Sequence, residues 1–319
     1  MEYKIAWFTE GGWTGKVPRN HPNMRNDMAW MHTFDVVHHP IEMIHQLDEQ
    51  FDIGIITIPK TNIERLSQYP IIENMKRVCK RIGTMQEGPH WYFQDFPMEQ
   101  QIWFYNLLTE LDFIFCHNEI DKKYYGGLTG KKCYINPTLM IEEYAVESTD
   151  KIDAVMIGGN MCRWYGGFDS YMVAQEFDCP IYSPSMGRKI DREDELDNLT
   201  HLPYITWIEW IKEISRYKYG VHLMPTQAAG TFTLNCAHWG IPCIGYKGLD
   251  TQGKCHPQLT VEFGDMVLAR KLAKRLKEDG GFYEQCSKEA KENYNTLFGE
   301  DVYIYNMNKV MKEVMNETN

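Results

Sequence analysis

Apolar runs alternate with helix-period segments along both halves of the chain. In the first half, residues 3–8, 51–58, 81–85, 113–116 and 132–135 read as strands, and 51–58 is almost continuously apolar. Such a run marks a strand buried on both faces, as in a parallel sheet. Helical patterns fall between them, at 23–33, 62–78, 98–111 and 119–125. Within 98–111, Ile102, Tyr105, Leu108 and Leu111 recur at three-residue steps, which predicts one buried stripe. Strand–helix alternation of this kind predicts a parallel sheet covered on both faces.

Residues 137–150 break the rhythm and carry Glu142, Glu143 and Glu147, so they read as a crossing between domains. A second alternation follows. A strand at 153–157 closes on Gly158 and Gly159, then come a helix at 170–177, a strand at 180–182 and a strand–helix–strand unit over 219–244. The charge-rich segment 187–198 reads as an exposed loop or short helix. Val267, Leu268, Leu272 and Leu276 predict one stripe of a helix at 265–277, and 282–315 reads as helical with a break near Gly299. No repeat of fixed period is present.

Composition narrows the class. With 319 residues the chain is long enough for two domains, and 43% hydrophobic with 24% charged residues is the balance of a globular protein. No run approaches the ~20 apolar residues of a membrane span. The first residues read as a strand rather than a secretory leader. Nine cysteines occur singly without a Cys-x-x-Cys pair, which fits a reducing cytoplasm better than a disulfide framework or a zinc site. The 11 histidines, His38-His39 among them, form no ligand set at helical spacing, so no metal is expected; His38 and His39 read as packing residues. A formal net charge of −11 repels polyanions at long range, although a local basic patch can act within ~8 Å.

Candidate chemistry concentrates at strand ends. Residues 224–244 read as a strand end, a tight loop Ala228-Ala229-Gly230-Thr231, a short helix stopped by Gly240 and Pro242, and a new strand. A helix start behind a glycine turn offers unpaired N–H groups and about half a positive charge, a place for a phosphate. Thr231 and Thr233 add hydroxyls there. Gly11 and Gly12 follow the first strand, where open α/β sheets bind ligands. Gln86 to Trp91 together with Asp95 gather polar and aromatic side chains in the first half. Glu87, His90 and Asp95 are its candidate catalytic residues, able to take a proton from a hydroxyl, or else parts of a hydrogen-bonded loop. Lys16, Arg19, His21 and Arg25, flanked by Trp13 and Trp30, form a basic and aromatic cluster. It suits nucleic-acid phosphates and a stacked base, or pairing with the chain's own carboxylates.

The 224–244 segment resembles the donor-site motif of retaining GT-B glycosyltransferases. That family carries Pro-Ser, a Glu, seven residues, a second Glu, then Ala-x-x-x-Gly-x-Pro-Val-Ile. Pro225-Thr226 takes the first place here and Gly240-Ile241-Pro242-Cys243-Ile244 the last, while Gln227 and Asn235 stand where the family has its two carboxylates. Both are amides, which still bond sugar hydroxyls but supply no negative charge. The resemblance implies an α/β, GT-B fold: two doubly wound Rossmann-like domains facing across a cleft, with the C-terminal helix crossing back. The corresponding boundaries are an acceptor-side domain at 1–145, a nucleotide-sugar domain at 146–300 and the returning helix at 301–319.

It also implies a set of roles. The donor is a nucleotide-sugar, expected to be a UDP-sugar, used as co-substrate without a further cofactor or divalent metal, and with anomeric retention. Gly230, Thr231 and Thr233 would meet the diphosphate, with Gly11, Gly12, Gly159 and Arg163 near it. Asn235 would hold ribose, Gln227 the sugar, and Tyr204 the base. The first half, with Trp13-Thr14-Gly15-Lys16 near its start, also resembles glycosyltransferase-like proteins of large tailed phages. Some of these place sugars on hydroxymethylated pyrimidines in DNA. Double-stranded DNA carrying such bases is therefore the leading acceptor, bound through Lys16, Arg19 and Arg25 in the host cytoplasm. A glycan, lipid-linked or small-molecule acceptor is the alternative. An epimerase of the same shape and a non-catalytic nucleotide-sugar-binding protein are rivals of other classes. Oligomeric state is not legible.

Overall fold

The computed structural model describes residues 3–59, 63–86, 88–185 and 192–316. The chain divides into two units: Met1–His21, Asn26–Pro137 and Ile304–Asn319 form the first, Pro22–Arg25 and Thr138–Tyr303 the second.

Unit 1 contains, in chain order, β1 (Ile5–Thr9), α1 (Asn26–Thr33), β2 (Val37–Pro40), β3 (Phe51–Ile56), α2 (Ile63–Leu66), α3 (Ile71–Val78), β4 (Cys79–Met85), α4 (Met98–Glu110), β5 (Phe113–Cys116), α5 (Glu119–Thr129) and β6 (Lys132–Ile135). Its six strands are parallel, in the order β2-β1-β3-β4-β5-β6. Strand order reverses between β1 and β3. The sequence pattern missed β2, because its His38 and His39 do not look like a strand although both are buried.

Unit 2 runs through β7 (Ile152–Ile157), α6 (Gly167–Ala174), β8 (Ile181–Ser183), β9 (Leu199–His201), α7 (Trp207–Ile214), β10 (Tyr217–His222), α8 (Thr231–Trp239), β11 (Cys243–Tyr246), α9 (Asp250–Cys255), β12 (Thr260–Val261), α10 (Met266–Glu278), α11 (Gly280–Leu297) and only the first turn of α12 (Glu300–Asn316). Its sheet is also six parallel strands, ordered β12-β11-β10-β7-β8-β9. This is the doubly wound plan with its reversal between β7 and β10, and ligands of such sheets bind outside the carboxyl ends of the strands at the reversal. Apolar clusters cover both faces of the sheet. One contains Val155, Val221, Ile244, Ala273 and Phe282, the other Met156, Phe232, Cys236 and Cys243.

Helix ends follow their sequence cues. Thr206 and Glu209 form a reciprocal capping box on α7. Asn118 caps α5, which runs on to a left-handed Gly130 rather than stopping at 125. Glu142 and Glu300 exchange backbone-to-carboxylate bonds of 2.8 and 3.1 Å, and Tyr294 donates to Glu142 at 2.9 Å. That clasp fixes the start of α12, whose residues from Ile304 onward belong to unit 1.

Two predicted stripes need correction. In α4, Leu108 is buried and Leu111 follows suit, but Ile102 and Tyr105 are exposed; Phe104 and Leu107 face the core instead. A strict three-residue step drifts around a 3.6-residue helix, so it leaves the buried face within two turns. In α10, Ala269, Ala273 and Leu276 are buried while Val267 is exposed. Residues 187–191 of the 187–198 segment lie outside the described residues, and Glu193–Glu195 form one 3-10 turn.

Candidate functional site

At the reversal of unit 2, the loop after β7 meets the loop after β10. Gly166 has φ of +62° and leaves no room for a Cβ against the Leu223 carbonyl. Ser170 ties the two loops together, donating to Gly166 O at 2.9 Å and accepting from Leu223 N at 2.9 Å. Gly159, at φ +76°, lies under Tyr165, whose Cβ would sit 2.7 Å from an added methyl. A side chain at either glycine would force the loops apart.

The second loop ends at α8, a nine-residue helix whose start is not capped by a side chain. Gly230 precedes it in the left-handed region, at φ +73°, and a Cβ there would collide with Thr251 Oγ1. The carbonyl of Gly230 accepts from Thr233 Oγ1 at 2.9 Å and from Thr251 Oγ1 at 3.0 Å, and the two hydroxyls meet at 2.6 Å. This knot points the Gly230 carbonyl inward and leaves the helix start to its own amides. Gln227, Ala228, Ala229 and Thr231 around it are half-buried, so the turn is accessible. Backbone N–H groups at such a start carry partial positive charge and suit an anion.

The assigned donor residues fall into three groups. Arg163 is exposed, with its guanidinium stacked 3.8 Å over Trp164, and Tyr204 is 66% exposed on the segment before α7. Thr231 bonds Thr138 at 3.0 Å, and Gln227 packs against Gly248. Thr233 and Asn235 are fully buried. Thr233 is engaged in the turn described above, so its hydroxyl is not offered to a ligand. Asn235 accepts from Trp210 Nε1 at 3.3 Å and lies 3.6 Å from the Met140 sulfur, so it positions α7 against α8 and offers no atom to a ribose. These two expectations are corrected: the sequence spacing is right for the helix, but Thr233 and Asn235, its third and fifth residues, face inward.

One residue here carried no sequence signal. His222, the last of β10, is buried beside Gly158 and Phe232, and neither ring nitrogen has a hydrogen-bond partner among the described residues. Burial pushes its pKa down to about 4, so it is neutral near pH 7. His256 behaves alike at about 4 for the same reason, with Nε2 3.1 Å from Thr233 O.

At the reversal of unit 1, side chains rather than glycines organise the loop. His38 places Nδ1 3.0 Å from the Trp13 carbonyl and Nε2 2.9 Å from Thr9 Oγ1, and Trp13 stacks on its ring at 3.9 Å. Burial, opposed by the Trp13 carbonyl, lowers its pKa to about 4. The neutral ring therefore donates Nδ1–H to the Trp13 carbonyl, and Nε2 shares the Thr9 hydroxyl with the Glu10 carbonyl, 2.7 Å from Thr9 Oγ1. Gly15 and His38 also exchange backbone bonds of 2.9 and 2.8 Å. Gly11 has φ of +125°, whereas Gly12 is exposed with nothing within 4 Å of an added Cβ. His38 is thus a packing residue that also shapes the loop carrying Gly11 and Gly12.

The polar cluster after β4 is only partly described. Glu87 lies outside the described residues. Asp95 is exposed at the end of a 3-10 turn, His90–Asp95. His90 sets Nδ1 2.8 Å from the Asp121 carboxylate, which also accepts its backbone N–H at 3.2 Å and the Asn118 amide at 3.1 Å. Asp121 is buried, which raises its pKa, while the His90 and Asn118 donors pull it back. Sequence reasoning missed Asp121; its signal was the Asn-x-x-Asp start of α5.

The basic residues are divided between the two units. Lys16 pairs with Asp35, and Lys16 and Arg19 belong to unit 1 whereas Arg25 belongs to unit 2, where it bonds Asn23 Oδ1 at 2.7 Å. Among the described residues, no three His, Cys, Asp or Glu side chains are grouped to hold a metal, and no helix is long and apolar enough to cross a membrane.

No family model matches the chain, and no curated protein matches it by sequence. Solved structures do match its fold. An α-glucosyltransferase in complex with UDP and a 13-mer DNA containing an A:G mismatch aligns over 97% of this chain and 99% of its own, with TM-score 0.63 and 13% identity. Sucrose-phosphate synthase from Thermosynechococcus elongatus aligns over 98% of both chains, with TM-score 0.68 and 13% identity. Anabaena Alr3699/HepE in complex with UDP-glucose aligns over 98% of this chain and 100% of its own, with TM-score 0.70 and 9% identity. The fold is GT-B.

Proposed function

We propose that this chain is a glycosyltransferase that moves a sugar from a UDP-sugar to a hydroxyl of a hydroxymethylated pyrimidine in DNA. The observation that carries the reading is the uncapped start of α8 at the strand-order reversal of unit 2. Neighbours of the same fold were solved with UDP or UDP-glucose, one of them with DNA as well, which supports that donor and, more weakly, that acceptor.

In this reading the diphosphate rests at the opening of α8, against Thr231 and the Gly230 amide. Arg163 swings from Trp164 to pair with phosphate oxygens, which a guanidinium does bidentately. As the sugar's anomeric carbon leaves the phosphate oxygen and joins the acceptor oxygen, the acceptor hydroxyl gives its proton to a base, the role of Glu87, His90 or Asp95, and negative charge grows on UDP. Fixed donors already aimed at that charge lower the barrier, and this electrostatic effect is commonly the largest in enzymes. Tyr204 lies against the base, and Gln227 bonds sugar hydroxyls as donor and acceptor. Retention at the anomeric carbon goes with this motif. Gly12 and His90 belong to the acceptor side, with Arg19 and Arg25 meeting DNA phosphates.

A second reading, a glycan or small-molecule acceptor, is favoured by the net charge of −11 and by the pairing of Lys16 with Asp35. Incubation with UDP- and GDP-sugars, then mass spectrometry of DNA with and without hydroxymethylated bases, separates the two. A hexose added only to the hydroxymethylated DNA is the expected result. Donor turnover with unchanged DNA removes the DNA acceptor. Absence of turnover with every donor and acceptor removes the enzyme.

A further inference from the structure

The sequence pattern reads residues 137–150 as a plain crossing between domains. Its first residues are built into unit 2 instead, which takes up the chain again at Thr138. Thr138, Leu139, Met140 and Ile141 are at most 2% exposed, although none of them lies in a helix or a strand. Connecting segments usually run over the surface, so a buried one calls for a reason.

Two side-chain contacts hold the segment, both on α8. Thr138 Oγ1 lies 3.0 Å from Thr231 Oγ1, and Asn235 Nδ2 lies 3.6 Å from the Met140 sulfur. The spacings agree: residues two apart in an extended chain are ~6.8 Å apart, and residues four apart in a helix are ~6 Å apart along its axis. Alternate residues of the segment therefore meet successive turns of α8. The Asn235 contact is structural. Trp210 Nε1–H can only donate, which fixes Oδ1 toward Trp210 and Nδ2 toward Met140.

The Thr231 contact has another character. Thr231 opens α8 and is half-buried at the accessible turn, whereas Thr138 is buried behind it. Each hydroxyl has one hydrogen, and the pair uses one of the two between them. When Thr138 donates, the hydrogen left over belongs to Thr231, at the mouth of the helix. Donation in that direction also strengthens what Thr231 gives, because hydrogen bonds in a chain polarise one another. Thr233 is not equivalent, since its hydroxyl donates to the Gly230 carbonyl and meets Thr251. Only an anion at the helix start draws on such a hydrogen strongly, as hydrogen bonds to charged groups are the stronger kind.

We propose that Thr138 is a positioning residue of the donor site, turning the Thr231 hydroxyl hydrogen toward the diphosphate. This rests on the glycosyltransferase reading above. Motif spacing around α8 gives no sign of it, because the two threonines are 93 residues apart.

The test is calorimetric titration of the full chain with UDP and with uridine. Thr138→Val removes the hydroxyl at nearly constant volume, Thr138→Ala removes it without a bulky replacement, and Thr138→Ser keeps it. Wild type is expected to bind UDP more tightly than uridine. Thr138→Val and Thr138→Ala are expected to weaken UDP about threefold to tenfold with uridine unchanged, and Thr138→Ser to restore it. Thr231→Val is expected to lose at least as much. Adding Thr138→Val to it should cost nothing further, since residues acting through one hydrogen are not additive. A packing role instead gives equal losses for UDP and uridine, or losses that add in the double variant. Either result overturns the proposal, as does full UDP affinity in both Thr138→Val and Thr138→Ala. Wild type that binds UDP no better than uridine removes the diphosphate site itself, and the role of Thr138 with it.

Discussion

The two strand-order reversals are built from different materials. In unit 2, Gly166 and Gly230 let loop backbones pack where a Cβ would collide, and the loop leads to a helix start without a side-chain cap. In unit 1, the corresponding loop is pinned by the buried imidazole of His38, and Gly12 meets nothing. A backbone site suits a ligand part that never changes, such as a diphosphate. A side-chain site can be altered residue by residue, as an acceptor site must be when acceptors differ.

Among single substitutions, the largest expected effect is at Gly230. Gly230→Ala combines a left-handed backbone with a collision against Thr251, and should cost about 2–4 kcal/mol in urea denaturation. Gly12→Ala should change stability by less than about 0.5 kcal/mol, since it lies on the surface away from any packing. Equal costs at the two glycines would erase the contrast. Adding Thr251→Ala to Gly230→Ala should recover the collision part alone.

Acid should act next. His38, His222 and His256 are each held near 4 in the fold by burial, against 6.5 when unfolded. A depressed folded pKa means the unfolded chain binds more protons between those values. Stability is therefore full above pH ~6.5 and falls as pH drops toward ~4, by roughly 1.4 kcal/mol per pH unit for each histidine. Denaturation midpoints measured across that window check the slope. His222→Leu should remove about a third of it, and a pH-independent midpoint between 6.5 and 4 would refute the buried neutral state.

His38→Leu tests the unit 1 loop. It removes two side-chain hydrogen bonds and should cost about 1–3 kcal/mol, with UDP affinity unchanged. A large loss of UDP affinity would make the two loops one site. Smallest is Lys16→Ala, whose exposed pair with Asp35 contributes ~1 kcal/mol or less.

Legibility in the sequence follows the same division. Buried parallel strands announce themselves as apolar runs, and glycine turns as punctuation, so β3, β5, β7, β10 and the α8 turn were readable. Side-chain constructions were not. His38 and Asp121 are far in sequence from the groups they hold, Trp13 and His90, and nothing local reports those meetings. Asn235 and Thr233 show the opposite failure. Motif spacing located their helix but not which way its residues face, because that depends on α7 and α9 packed against it.

The central claim is that a diphosphate rests on the amides that open α8. Backbone amide shifts in a titration with UDP, against uridine as control, test it most directly. The expected result is large shifts at Gly230 and Thr231 with UDP and almost none there with uridine. UDP shifts confined to other residues, with those two amides unmoved, would contradict it.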